Sequence, residues 1–277
     1  MLHMLDVKRE EGRYSIDDAR ERFARFGICV LKRYFEPQTR DELRTIVEER
    51  LERARQRSAV LRFDQYPDAD FLLGDVLAVR ELEPYGNIFF RPECIDLVKG
   101  LLRTDELLYW GDSSIQIGAA ARGFHKDNVD RDDGRLDDWT RDYEIVRCGF
   151  YFQDHLRHSG GLKVRLESHT VPDHLAGRIA DVATEYGDLV IWNMRLTHSG
   201  NACKLRLLPG TPLHPRVEAR IPQFLVVPEQ IRRMAAFCAF GKPGSHVDRY
   251  IDRMNARAAE YRPYFQFARR VYSSRPL

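Results

Sequence analysis

Gly187-Asp188-Leu189-Val190-Ile191-Trp192-Asn193-Met194-Arg195-Leu196-Thr197-His198 is the stretch on which the reading of this chain turns. A Gly-Asp turn feeds a run of branched and aromatic residues, the composition of a buried strand bounded by turn chemistry. The run leads to a histidine, which such a strand can deliver to a site shared with its neighbours. His198 could equally cap the strand through a hydrogen bond, so its meaning depends on what other segments supply.

The second segment is Gly123-Phe124-His125-Lys126-Asp127. In extended chain, residues two apart point to the same face, so His125 and Asp127 can hold adjacent corners of one metal ion. In a chain with nine histidines, such a pair also arises by chance on a surface. Together with His198 it becomes two histidines and one carboxylate on one side of a metal. That is the open-faced ligand set of non-haem Fe(II) oxygenases. His155, His158, His169 and His174 are read as turn or helix-end residues and left out of the set.

Working outward, Ser15 with Asp18 three residues on starts a helix, and Gly27 is placed to end it. Ile28-Cys29-Val30-Leu31 reads as a short buried strand. Leu43, Ile46, Val47 and Leu51 fall at helical spacing within residues 39–55, and a third helix runs from Pro92 to Gly100. From about Leu107 the texture becomes β-rich, with strands expected over 113–117, 145–153, 161–166, 187–193 and 235–240. A helix capped by Ser245, bearing Val247, Ile251 and Met254, closes the chain. Short strands after a helical lead-in predict an antiparallel double sheet or barrel backed by helices. No composition shift marks a linker, so residues 1–277 are read as one domain, with a helical lead-in over 1–106, a β core over 107–244 and a helical segment over 245–277.

Composition narrows the function. Of 277 residues, 43% are hydrophobic and 31% charged, an ordinary globular balance. The 44 basic and 42 acidic residues leave a net charge of +2, which argues against a nucleic-acid or anionic-membrane partner. No apolar run is long enough to span a bilayer, and no leader pattern opens the chain, so a cytoplasmic enzyme is expected. The five cysteines are scattered, odd in number and never in Cys-x-x-Cys spacing, which argues against a disulfide framework and a structural zinc site and reads them as reduced, small apolar residues.

The sequence resembles the phytanoyl-CoA dioxygenase family of Fe(II)/2-oxoglutarate oxygenases. Four blocks in order carry the resemblance: Arg25-Phe-Gly-Ile-Cys-Val-Leu-Lys32, the His125-x-Asp127 pair, His158-Ser-Gly-Gly-Leu-Lys-Val-Arg-Leu-Glu-Ser-His169, and Gly187 to His198. It implies a mainly β fold with flanking helices around a double-stranded β-helix (jelly-roll, cupin-like) core, with Fe(II) at His125, Asp127 and His198. It also implies 2-oxoglutarate as co-substrate, with O₂. The far carboxylate of 2-oxoglutarate calls for a planar, permanently charged fork, which is arginine chemistry. In the family that arginine opens the strand after the distal histidine, and Arg233-Met234-Ala235-Ala236-Phe237 fits the pattern. Arg233 lies farther beyond His198 than is usual, so residues from 199 to about 230 read as an insertion. Arg206 is the rival, disfavoured because the turn-like Leu207-Leu208-Pro209-Gly210 follows it.

Gln116 occupies a position where family members often place a polar 2-oxoglutarate contact, with a place in a structural network as the alternative. Arg147, if its strand is regular, faces the same side as Gly149 and Tyr151 and needs an anion or hydrogen-bond partners there. Either a substrate contact or a structural network satisfies that need. The charged stretch from Asn128 to Asp142 leaves the proposed ligands directly. It is either a solvated loop or a lid whose polar groups, Asn128 first, meet a hydroxyl- or amine-rich substrate. Residues 199–220 are expected to flank the same mouth.

The expected activity is oxidation, with hydroxylation the default outcome, of a small polar metabolite such as a sugar, amino acid or antibiotic intermediate, releasing succinate and CO₂. Two other classes stay open: a cupin-like isomerase or sensor holding Zn²⁺ or Mn²⁺ on the same triad, and a nucleic-acid demethylase. Sequence alone leaves the oligomeric state unassigned.

Overall fold

The computed structural model describes residues 3–57, 60–63, 66–74, 80–118, 123–140, 142–208, 210–257 and 270–272. A small hairpin, β1 (Arg9–Glu10) and β2 (Arg13–Tyr14), leads into α1 (Ile16–Phe26). The Ser15 side chain accepts the Asp18 N–H at the helix start, and Gly27 closes the helix at φ 76°, its N–H donated to the Phe23 carbonyl. A side chain at Gly27 would also meet the His169 ring at 2.6 Å, so glycine is required there twice over.

The fully buried β3 (Ile28–Leu31) follows, then α2 (Pro37–Gln56), which starts on a proline and buries Leu43, Val47 and Leu51. A hairpin of β4 (Leu61–Phe63) and β5 (Tyr66–Gly74) precedes α3 (Pro92–Leu102). That helix runs past the expected stop at Gly100 and ends on Arg103 at φ 51°. Gly100 serves the packing of α1 on α3 instead: a β-carbon there would lie 2.5 Å from Ile16 Cγ2.

The remaining elements are β6 (Leu107–Tyr109), β7 (Ser113–Ile117), α4 (Asp137–Thr140), β8 (Ile145–Tyr151), β9 (Gly161–Leu166), β10 (Arg178–Asp181), β11 (Leu189–Asn193) and β12 (His198–Ala202). After them come α5 (Pro215–Glu218), β13 (Met234–Gly241), α6 (Ser245–Arg257) and β14 (Arg270–Tyr272). The expected C-terminal helix is α6 as far as Arg257; residues 258–269 and 273–277 of that segment lie outside the described residues.

The fold is mainly antiparallel β with flanking helices, as expected. A nine-stranded sheet runs β3-β11-β8-β13-β7-β5-β4, with β6 joined to β13 and β14. A three-stranded sheet runs β10-β9-β12. Alternation along the strands sorts the large sheet into two faces. Cys29, Leu31, Cys148, Phe150, Ile191 and Cys238 share one core with Leu43 and Val47 of α2 and Ile95 and Val98 of α3. Tyr151, Val190, Trp192 and Ala235 share a second core with Leu162, Val164 and Leu166 of the small sheet. The second core is the interior of the roll. All five cysteines are free thiols, and four are buried.

Candidate metal centre

One expectation about the strand chemistry needs correction. The β11 strand stops at Asn193, and His198 opens β12 after a tight Met194–Thr197 turn instead of ending β11. The turn forms because Asn193 Oδ1 accepts the Arg195 N–H at 2.9 Å and the Leu196 N–H reaches the Asn193 carbonyl at 2.8 Å. The strand that feeds it is registered by its own start. Gly187 adopts φ 103°, a β-carbon there would meet the Phe35 carbonyl at 2.8 Å, and buried Asp188 accepts the Arg33 and Glu185 N–H groups.

His125 and Asp127 lie in a short extended segment held against this turn. His125 and His198 exchange backbone hydrogen bonds at 3.0 and 2.9 Å, and the Asp127 N–H donates to the Met194 carbonyl at 2.9 Å. Between them Lys126 points the other way and is fully buried, its Nζ donating to the carbonyls of Ser168 and Arg195 at 2.5 and 2.7 Å. Burial, with Arg195 nearby, holds that amine down to about 7. Lys126 thus pins the segment from behind and forces its two flanking side chains to the same side.

The structure brings His125, Asp127 and His198 together, with one potential ligand atom from each within 4.8 Å of the others. Asp127 Oδ1 is 3.7 Å from His125 Nε2, and Oδ2 is 3.5 Å from His198 Nε2. Ligand atoms at such separations fit around a single ion at ordinary bond lengths of about 2.0–2.2 Å. Each imidazole places Nδ1 on the carbonyl two residues earlier, His125 on Gly123 at 2.9 Å and His198 on Leu196 at 3.0 Å. With Nδ1–H donated there, Nε2 is the basic nitrogen and faces its neighbours, the orientation that a hydrogen bond on the far ring nitrogen imposes on a ligating histidine. Burial and the adjacent His125 hold His198 down to about 4, so it is neutral at physiological pH, as a ligand must be. Side-chain exposures of 27% for His125 and 22% for Asp127 leave the cluster reachable from one side.

Arg233 precedes β13 and is 2% exposed, in step with the inward Ala235. Its Nε donates to the Gly160 carbonyl at 2.9 Å and its guanidinium carbon lies 5.9 Å from the Tyr151 ring centre. Arg206, the rival, is exposed on the surface and donates to the Val226 carbonyl. Gln116, on β7, pairs with Ala235 and is half-buried.

Two residues that sequence reasoning missed lie between Arg233 and the cluster. Tyr151 Oη and Trp192 Nε1 are buried and have no hydrogen-bond partner among the described residues. Phe237 stacks edge-on to both rings, and Trp192 lies 5.7 Å from the His198 ring. Gly149 leaves room beside them, since a β-carbon there would come within 2.8 Å of Trp192 and 3.3 Å of Phe237. Buried donors are rarely left unmatched without a ligand or water to accept from them. A histidine–carboxylate cluster at one end, an arginine at the other and two unmatched donors between fit an elongated dianion that also binds metal. The signal in the sequence was only that Tyr151 and Trp192 share the inward parity of Arg147 and Gly149.

Arg147 is partly buried and surrounded by protein groups. Its Nε is 3.2 Å from Asp127 Oδ2, and one terminal nitrogen lies 3.1 Å from both Asp112 Oδ2 and Tyr250 Oη. Burial opposes its charge, but Asp112, Tyr250 and Asp127 raise it above the ordinary arginine value. Of the two readings of Arg147, the network describes these contacts.

Asn128 is buried as well, its amide donated to Asp138 Oδ2 at 2.9 Å. The stretch it opens folds on itself: Asp138 accepts the Asp130 N–H, Asp130 accepts the Asp138 N–H, and Arg249 of α6 clasps Asp130 at 2.5 and 2.6 Å. Its inner charges are therefore spent on α6, and its exposed part is the tip near Asp132 and Leu136.

The inserted residues form an excursion in which Leu205 bridges Val226. It lies against the outer face of the small sheet. Lys163, fully buried and out of step with inward Leu162 and Val164, donates to the Leu213 carbonyl and to Glu218 of α5 and forms an ion pair with Asp181. Within the insertion, His214 stacks edge-on against Phe124, the residue before His125, at 5.2 Å.

No family model matches the chain, and no curated protein matches it. Solved structures do. AviO1 from Streptomyces viridochromogenes Tue57 is 17% identical, with a TM-score of 0.55 over 83% of this chain and 96% of that one. SnoN, the non-haem α-ketoglutarate-dependent epimerase from nogalamycin biosynthesis, is 13% identical, with a TM-score of 0.54 over 81% of each chain. HygX from Streptomyces hygroscopicus, solved with nickel, 2-oxoglutarate and hygromycin B, is 13% identical, with a TM-score of 0.51 over 80% of this chain and 85% of that one. At these identities the likeness is one of fold: this chain has the jelly-roll fold of non-haem iron, 2-oxoglutarate-dependent enzymes.

Proposed function

We propose that this chain is an Fe(II)- and 2-oxoglutarate-dependent dioxygenase that oxidises, most simply by hydroxylation, a small polar metabolite. The observation that carries the reading is the His125–Asp127–His198 cluster with both Nε2 atoms turned toward the carboxylate and Nδ1 tied back to backbone. When bound, the iron and 2-oxoglutarate would supply the O₂ activation and oxidative decarboxylation that no side chain can perform.

The chain's own residues bind and orient. His125, Asp127 and His198 would hold the metal and leave the remaining positions to co-substrate and O₂. Arg233 would pair with the far carboxylate of 2-oxoglutarate, and Tyr151 and Trp192 would donate to its oxygens within an apolar slot that excludes water. Tyr151 stays a donor throughout, since burial pushes its hydroxyl up to about 12. Gln116, across the β7–β13 pair from Ala235 and so on the same face, would add a further polar contact. The substrate would enter over the exposed side of His125 and Asp127, beside the stretch that Asn128 opens.

A small hydroxyl-rich substrate accords with the resemblance in fold to HygX, whose structure holds hygromycin B, and with a net charge that offers nucleic acid no general attraction. No described helix is long and apolar enough to cross a membrane. The test is O₂ uptake and succinate release from purified chain with Fe(II), 2-oxoglutarate and a panel of sugars, amino acids and aminoglycosides. Succinate formed in step with a product of altered mass is expected. No 2-oxoglutarate consumption with any of them, despite bound metal, would favour a non-oxygenase cupin.

A further inference from the structure

The geometry points to Arg147 as a positioning residue that holds Asp127 in its metal-binding orientation, itself held by Asp112 and Tyr250. This rests on the metal-site reading above and assigns a layer behind it.

The Met194 bond and the Lys126 anchor fix the backbone of Asp127, but they leave its side-chain torsions, and so the carboxylate plane, unset. Arg147 can fix it. The arginine stands in the middle of β8, paired with Trp192 on one side and Ala239 on the other, at the centre of the large sheet. Its Nε lies 3.2 Å from Asp127 Oδ2 as an ion pair out of hydrogen-bond alignment, so the attraction there is one of charge, while a terminal nitrogen of the same guanidinium donates to Asp112 Oδ2 and Tyr250 Oη at 3.1 Å each. Tyr250 in turn donates to Asp112 at 3.0 Å, closing a ring of three groups behind the ligand. Asp112 follows a turn at Gly111 and Tyr250 comes from α6, so three separate elements converge on one guanidinium.

The charge arithmetic gives the arrangement its purpose. Two carboxylates, Asp112 and Asp127, share one arginine in a part of the molecule that is mostly closed to water: Arg147 is 14% and Asp112 8% exposed. Without the guanidinium, Asp112 would repel Asp127 from this orientation, and Asp127 could rotate toward solvent. Outer partners of this type, conserved in role because they aim the ligand, set metal affinity as well as geometry. An arginine committed to two protein carboxylates is poorly placed to recognise an anionic substrate. The network therefore separates metal assembly from substrate recognition.

The experiment titrates metal-free chain with Co(II) alone, reading the dissociation constant and the absorption spectrum of the bound ion. It uses wild type, His125→Ala, Arg147→Met, Arg147→Lys and Tyr250→Phe, with thermal midpoints recorded beside each. If wild type binds no Co(II), or His125→Ala binds it equally well, the metal reading itself fails. Given a site that His125→Ala destroys, Arg147→Met is expected to bind about tenfold to a hundredfold more weakly with an altered spectrum. Arg147→Lys should recover part of the loss, because it keeps the charge but not the fork. Tyr250→Phe should cost about threefold or more with its thermal midpoint unchanged, and it decides the matter should Arg147→Met fail to fold. Affinity within twofold of wild type and an unchanged spectrum in the folded variant overturn the inference. So does a rise in substrate KM with cobalt binding intact.

Discussion

At the scale of single residues, candidate metal ligands are legible because coordination chemistry permits few side chains and fixed spacings. His125, Asp127 and His198 could be picked out for that reason, and the structure brings their ligand atoms within 4.8 Å of one another. Their supports were not legible. Lys126 looks like a surface cation until its Nζ is seen on two carbonyls, one of them 69 residues away. Tyr250, 103 residues beyond Arg147, has no sequence signal linking the two. Removing any proposed ligand, by His125→Ala, Asp127→Ala or His198→Ala, is expected to abolish 2-oxoglutarate turnover and Fe(II) retention while far-ultraviolet circular dichroism stays unchanged. Near wild-type iron content in one variant would remove that residue from the set. Arg233→Ala should raise the KM for 2-oxoglutarate steeply, since a buried charge-assisted pair is worth about 2 to 5 kcal/mol. Tyr151→Phe should raise it only about twofold to tenfold, as befits a neutral hydrogen bond. Exposed Arg206→Ala should leave it unaltered, and steady-state kinetics with varied 2-oxoglutarate separates the three.

At the scale of elements, caps and burial patterns announced α1, β3, β7, β9 and α6, because their determinants are local. Strands defined by their partners were hidden. The segment His198-Ser-Gly-Asn-Ala202 has no strand composition and becomes β12 only by pairing with β9, and β10 likewise depends on β9. The β4–β5 hairpin was missed because Asp70 interrupts its apolar run. That aspartate is buried and tolerated through ion pairs with Arg55 and Arg62. The stretch from Asn128 read as a solvated loop or lid, and its folding depends on reciprocal aspartate caps and on Arg249 of α6. This has a measurable consequence. Asp138→Ala would strip the partner from two buried donors, the Asn128 amide and the Asp130 N–H, at about 1 to 3 kcal/mol for each. The urea midpoint should fall accordingly, and the ratio of succinate to product should rise if the segment also places substrate. Substitutions at exposed Asp132 or Leu136 should leave stability unchanged. Equal stability of Asp138→Ala and Leu136→Ala would mean that the clamp does not hold the segment.

At the scale of the whole molecule, two cores on opposite faces of one large sheet follow from strict alternation. The interior core also carries groups that would rather be hydrated. His155 is buried, bonded to Gln153 and Thr184, and held down to about 3 by burial and by Arg233. His169, against the Ala24 carbonyl and beneath Gly27, is held down to about 4 by burial and by Arg195. Unfolding returns both to the ordinary value of 6.5. Below that pH the unfolded chain binds more protons than the folded one, so their contribution is complete above about 6.5 and is lost as the pH falls toward 4. Each group removes about 1.4 kcal/mol per pH unit once the unfolded form is protonated. The ion-paired carboxylates Asp18 and Asp70 act in a different window. Arg22 in one case and Arg55 and Arg62 in the other outweigh burial and lower them from 3.8, so their stabilisation persists until the pH falls through that region. Metal-free chain should therefore lose stability between pH 6.5 and 4.5 before any of these carboxylates titrates. Urea midpoints measured at pH 7, 6 and 5 should fall progressively with a constant slope, and a midpoint that stays level across that range would show that the buried histidines do not set the acid limit of the fold.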